Sequence, residues 1–139
     1  VNFVLDTNVL SELRKSERTA SPAVRAWISA RVDAQLYLSV VTVLEIEVGI
    51  GRIERRDRVQ ADRLRRWLDD EVLDAFRGRI LPVDLEVARR AARRHVPDPS
   101  PERDALIAAT ALVHDMSVVT RNTADFSATG ARVINPWTD

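Results

Sequence analysis

Short apolar runs punctuate this chain, and between them hydrophobic residues recur every three or four positions. The first habit belongs to strands buried on both faces, the second to amphipathic helices. The runs are residues 3–6, LYLSV at 36–40, ILPVD at 80–84, MSVVT at 116–120 and RVINP at 132–136. Ser21-Pro22 starts a helix that carries Val24, Trp27 and Ile28. VTVLEIEVGIGR reads as a helix capped by Thr42, with Val43, Glu45, Ile46, Gly49 and Ile50 along it. From Glu54 to Phe76, the apolar residues Val59, Leu64, Trp67, Leu68, Val72 and Phe76 stand among arginines, a stripe that fits one long or two short surface helices.

Asp84 is placed to cap the next helix, DLEVARRAARRH, whose inward stripe is Val87, Ala88, Ala91 and Ala92. PDPSP at 97–101 breaks it, and Ser100-Pro101 restarts a helix reading SPERDALIAATALVHD. Strands alternating with helices predict an α/β fold built on a mostly parallel sheet with right-handed crossovers. In such sheets ligands gather at the carboxyl ends of the strands.

Composition narrows the picture. A chain of 139 residues, 45% hydrophobic and 30% charged, fits one globular domain over 1–139. No apolar run is long enough to span a bilayer and the beginning is not signal-like, so no membrane association and a cytoplasmic location are expected. Cysteine is absent and only two histidines occur, which excludes disulfides and thiol chemistry and leaves a hard cation as the expected metal. Net charge is zero, yet of 21 basic residues only Lys15 is lysine. Arginine's rigid fork suits phosphate and carboxylate partners, and a GC-rich coding bias produces the same excess. Neutrality argues against strong nonspecific duplex binding while permitting a short single-stranded substrate in a local site.

The acidic residues then acquire places. Asp6 ends the first strand in VLDTNVLSEL, Glu45 lies early in the helix after the second, and Asp104 lies in the first turn after Pro101 with Ile107, Ala108 and Ala111 on its face. Asn122 and Asp125 occupy a turn after the strand ending at Thr120. Singly, each has an ordinary reading: turn residue for Asp6, solvated or capping acid for Glu45 and Asp104, Asx turn for Asp125. Together, oxygen ligands from separate elements at one sheet edge suit Mg²⁺ or Mn²⁺. Glu47 points away from Glu45 on a helix, and His95 and His114 read as surface or capping residues.

DTN at 6–8, Glu45 within SVVTVLEIEVG, RDALIAATA at 103–111 and TRNTADF at 120–126 together resemble the motifs of PIN-domain ribonucleases, particularly the VapC toxins of bacterial toxin-antitoxin pairs. The resemblance spans residues 3–136. It implies a PIN-like three-layer α/β fold with a central, mostly parallel five-stranded sheet. It implies Mg²⁺-dependent hydrolysis of RNA, Mn²⁺ serving as well, with Asp6, Glu45, Asp104 and Asp125 as the acidic metal and catalytic positions and Asp6 and Asp104 as direct ligands. Many PIN domains have aspartate where this chain has Asn122, whose amide can coordinate or orient water but cannot act as a carboxylate base; Asp125 takes over part of that role. Thr7, Asn8 and Thr120 are expected to orient the ligands, and Arg121 to face substrate phosphate. The resemblance further implies a homodimer and a small antitoxin that covers the site, with interface candidates in a stripe at Trp67 and Leu68 or near Trp27.

The alternative is a noncatalytic acidic metal-binding or signalling domain. A receiver-like phosphotransfer domain needs a lysine after a late strand, and the only lysine is Lys15.

Overall fold

The five apolar runs become β1 (Phe3–Leu5), β2 (Leu36–Ser39), β3 (Ile80–Leu81), β4 (Ser117–Val119) and β5 (Val133–Ile134) in a computed structural model that describes residues 1–139. They form one sheet in the order β3-β2-β1-β4-β5, with every neighbouring pair parallel. The earliest strand is therefore central. Because all five run the same way, the residues that follow β1, β2 and β4 emerge at one edge.

Eight helices join the strands: α1 (Thr7–Arg14), α2 (Pro22–Ser29), α3 (Val40–Glu54), α4 (Arg58–Arg66), α5 (Leu73–Ala75), α6 (Leu85–Ala92), α7 (Glu102–Val113) and α8 (Thr123–Phe126). They cover both faces, which is why the strands read as unbroken apolar runs. Alternation along β1 divides the core. Phe3 and Leu5 join Val9, Val24, Trp27, Ile50, Leu64 and Leu68 on one side, whereas Val4 joins Ile107, Ala108, Ala111 and Phe126 on the other. The result is the expected three-layer α/β arrangement with a parallel five-stranded sheet.

Several local expectations are corrected. The cap of α3 is Ser39, whose hydroxyl accepts from the Val41 N–H at 3.0 Å, so the helix begins at Val40 and not after Thr42. Thr42 lies inside the helix, fully buried, and its hydroxyl has no hydrogen-bond partner. The strand ends one residue earlier than the apolar run suggests because Ser39 is small enough to turn the chain directly into the helix. In the 54–76 segment, α4 continues through a wide π-type turn at Trp67–Val72 into α5. Leu64, Leu68 and Val72 face inward while Val59 is exposed.

Leu68 is fully buried and Trp27 is buried, whereas Trp67 is half-buried, packing on the core while lining an open apolar groove with Leu10, Leu13 and Phe76. The large exposed apolar side chains are elsewhere, among them Val40, Leu44, Val83 and Leu85. Along α6 only Val87 and Ala91 turn inward; Ala88 and Ala92 are exposed, because the helix packs chiefly on α7 rather than on the sheet. The Asp84 cap stands as expected, its carboxylate accepting from the Val87 N–H at 2.9 Å. At the break before α7, Ser100 reaches backward: its hydroxyl donates to the Arg94 carbonyl and its N–H donates to His95 Nδ1.

Candidate active site

Asp6 is the first residue beyond β1 and the N-cap of α1. Its backbone N–H still donates to the Val119 carbonyl at 2.9 Å, so the sheet holds it in place. One carboxylate oxygen, Oδ1, accepts from the Thr7 N–H at 2.8 Å. The other, Oδ2, accepts from the Thr120 hydroxyl at 2.7 Å and from Asn8 Nδ2 at 3.4 Å. Thr120 follows β4 as Asp6 follows β1, and the parallel pairing brings them together across 114 residues of chain.

The hydroxyl of Thr120 is a junction. It donates to Asp6 and accepts from Asn8 Nδ2 at 3.1 Å and from the Asn122 N–H at 3.0 Å. Asn8 completes the clasp by accepting from the Arg121 N–H at 3.2 Å. On the other side, the Thr7 hydroxyl donates to Glu45 Oε1 at 2.9 Å, tying α1 to α3. Thr7, Asn8 and Thr120 thus each hydrogen-bond to an acidic side chain.

Four carboxylates contribute to the local field. Burial pushes Asp6 above the usual aspartate range, against the hydrogen bonds from Thr120 and Thr7, and the charge of Asp125 adds to the rise. Burial also raises Glu45; Thr7 and Arg103 oppose that rise and Asp6 reinforces it. Asp104 is pushed up to about 6, first by burial and then by the charges of Asp6, Asp125 and Glu45. Asp125 is exposed on the short α8, where it acts on Asp6 and Asp104 through its charge.

An open pocket of about 440 Å³ is lined by Asp6, Thr7, Asn8, Glu45, Asp104, Arg121 and Asn122, together with Ser11, Glu12, Lys15 and Trp137. The last four were not anticipated. Glu12 and Lys15 follow Asn8 at helical spacing on α1, a signal that was available in the sequence. Glu12 is a buried strap: it accepts from Lys15 Nζ at 3.0 Å and from the Ser21 N–H at 2.7 Å, and these hydrogen bonds hold its carboxyl below the usual range. Trp137 arrives from the end of the chain, with the Arg121 guanidinium 5.1 Å from its ring centroid, and nothing local announces it. Glu47 points away, as expected, and is 3.7 Å from Arg65.

No group of three acidic or histidine side chains is arranged here to hold a metal ion. Asp6 is instead occupied by Thr7, Asn8 and Thr120. The donor set is nevertheless all hard oxygen, and its mutual repulsion can be relieved only by a proton or a cation, so the residues fit Mg²⁺ or Mn²⁺ in chemistry.

A PIN-domain family profile matches residues 3–131. The chain is 42% identical over 140 residues to VapC ribonuclease Y4jK of Sinorhizobium fredii, covering 97% of each chain. It is 35% identical over 143 residues to Toxin FitB of Neisseria gonorrhoeae, covering 99% of each. Among solved structures, FitAcB from Neisseria gonorrhoeae superposes with a TM-score of 0.85 at 34% identity, over 97% of this chain and 98% of that one. FitAB bound to an IR36 DNA fragment gives a TM-score of 0.83 at 34% identity, over 97% and 95%.

Proposed function

The chain belongs to the PIN-domain family, as a homologue of the VapC and FitB toxins, and on that premise we propose that it is a Mg²⁺-dependent endoribonuclease toxin, growth-inhibitory and neutralised by a cognate antitoxin. The carrying observation is the pocket at the carboxyl edge of the sheet, where Asp6, Glu45 and Asp104 share one opening and the charges of Asp6, Asp125 and Glu45 add to burial in raising the proton affinity of Asp104. Repulsion of this kind opposes folding and is retained where a cation or proton is to be held.

Asp6 and Asp104 would hold the ion, with Glu45 and Asp125 completing the acidic ring. Bound there, a divalent ion neutralises a phosphate oxygen and lowers the pKa of water. Thr7 and Thr120 hold Glu45 and Asp6 in place through their hydroxyls. Glu45 or Asp125 orients the attacking water, Asn122 offers an amide oxygen, and Arg121 faces a phosphate of the substrate. A small antitoxin and a second copy of this chain are the proposed protein partners; the FitAB structure bound to DNA is a relative of this chain.

The test is the reaction. Purified protein is expected to cut single-stranded or loop RNA with Mg²⁺ or Mn²⁺, stop in EDTA, and leave 5′-phosphate and 3′-hydroxyl ends. Ends carrying 2′,3′-cyclic phosphate, or a folded Asp104→Asn variant that cuts at the wild-type rate across a metal titration, would overturn the proposed chemistry.

A further inference from the structure

A second cleft opens about a quarter turn around α7 from Asp104. It holds about 300 Å³ between α6, α7 and the residues after α8. Its floor is made of small residues, Ala105 and Ala108 among them, and its rim carries Arg90, Arg93 and Arg94. No acidic residue lines it. That composition is the reverse of the acidic pocket, and α7 contributes to both, with Asp104 in one and Ala105 and Ala108 in the other.

The placement of these arginines is the informative point. Eight guanidinium groups elsewhere are engaged: Arg65, Arg77 and Arg132 in ion pairs, Arg25, Arg31 and Arg79 with backbone carbonyls, and Arg14 and Arg121 over tryptophan rings. The side chains of Arg90, Arg93 and Arg94 make no ion pair, hydrogen bond or ring contact within the protein. Arg18, Arg52, Arg63, Arg66 and Arg103 are also unpaired, as are Arg55, Arg56 and Arg58 at the turn between α3 and α4, but none of these lines a cleft. Arg90 and Arg93 continue into an adjoining cleft of about 510 Å³ with Arg89, where Asp84 and Glu86 also lie. The Asp84 carboxylate already accepts from the Val87 N–H.

Three like charges held around one concave floor repel each other unless an anion enters. A guanidinium fork matches phosphate oxygens in pairs, and a floor of alanines allows a backbone to approach closely. Ala105 and Ala108 lie within about 6 Å of Asp104 along the α7 axis. A strand whose scissile bond lies at Asp104 therefore has its next phosphates within reach of this cleft.

We propose that the cleft between α6 and α7 holds the phosphate backbone of the RNA strand on one side of the bond that is cut. This rests on the ribonuclease reading of the acidic pocket and adds to it a positioning surface for flanking nucleotides, indifferent to base sequence.

The test is fluorescence anisotropy of a labelled single-stranded RNA in EDTA, where no cleavage intervenes, over a salt series. The R90Q/R93Q/R94Q variant is expected to lose at least about tenfold in affinity, and its slope of log K against log salt to shallow by about 2, as for three lost phosphate contacts. R90K/R93K/R94K is expected to keep most of the slope. A charge-matched control, R55Q/R56Q/R58Q, is expected to change little. Because the three arginines are at the surface, folding is checked by circular dichroism, with the single exposed substitution Arg93→Glu as a second probe.

An equal loss in the control, an unchanged slope in the triple variant, or no RNA binding by wild type overturns the proposal. So does arginine-dependent binding of polyglutamate without RNA binding, which assigns the cleft to an acidic protein. The two readings fail separately. Wild-type protein that binds RNA through these arginines but never cuts it keeps the cleft and removes the nuclease; cleavage that is untouched in the triple variant, with unchanged binding, does the opposite.

Discussion

Asp104 concentrates the electrostatics of the site in one side chain. Its folded-state value of about 6 exceeds the ordinary 3.8, so the folded protein binds more protons than the unfolded chain between those values. Stability from this group is fully present below about pH 4 and is lost as pH rises through about 6. Asp104→Asn removes the charge, and thermal denaturation at pH 7.5 is expected to show a midpoint roughly 2 to 4 °C higher, an amount kept small because the group is partly solvated. The gain should vanish near pH 4, and added Mg²⁺ should raise the midpoint of wild type but not of the variant. Thr120→Val tests the junction: loss of its hydroxyl should weaken metal-supported cleavage by roughly 10- to 100-fold, read from a metal titration of the rate. Asp6, Glu45 and Asp104 were legible because each stands at a strand end or an early helical position within a recognisable motif. Trp137 was not, since it reaches the pocket only through the packing of a distant segment.

At the scale of elements, helix starts were readable where a small polar residue precedes a stripe, as at Ser21 and Asp84. At α3 the expected cap, Thr42, stands three residues after the actual one, Ser39, which is also small and polar. Sequence spacing alone cannot tell Ser39 from Thr42, because the choice depends on where the sheet releases the chain. Two substitutions separate the roles in urea denaturation. Ser39→Ala should cost about 1 kcal/mol through the lost cap, whereas Thr42→Val should be neutral or stabilising by up to about 1 kcal/mol, since it removes a buried hydroxyl without a partner. The π-type turn at Trp67–Val72 was not legible either: one extra residue in a turn leaves the apolar spacing almost unchanged.

For the whole molecule, alternation of strands and helices specified the parallel sheet and its three layers, but not the order of the strands, which depends on which pairs meet in space. If the site works as proposed, inducing the wild-type chain without its antitoxin should arrest growth, while a folded Asp6→Asn variant should not; growth curves after induction decide it. The central position of β1 has a consequence for the chain as it is made. Its partner β4 lies far along the sequence, so Asp6 and Thr120, 114 positions apart, meet only when the chain between them has been synthesised and released. Elongation at roughly 5–20 residues per second separates the two by several seconds or more, during which the first carboxylate lacks its clasp. Until Thr120 has been made and has left the ribosome, Asp6 therefore lacks its bond to the Thr120 hydroxyl, and if the pocket cuts RNA as proposed, no growing chain can do so before that point.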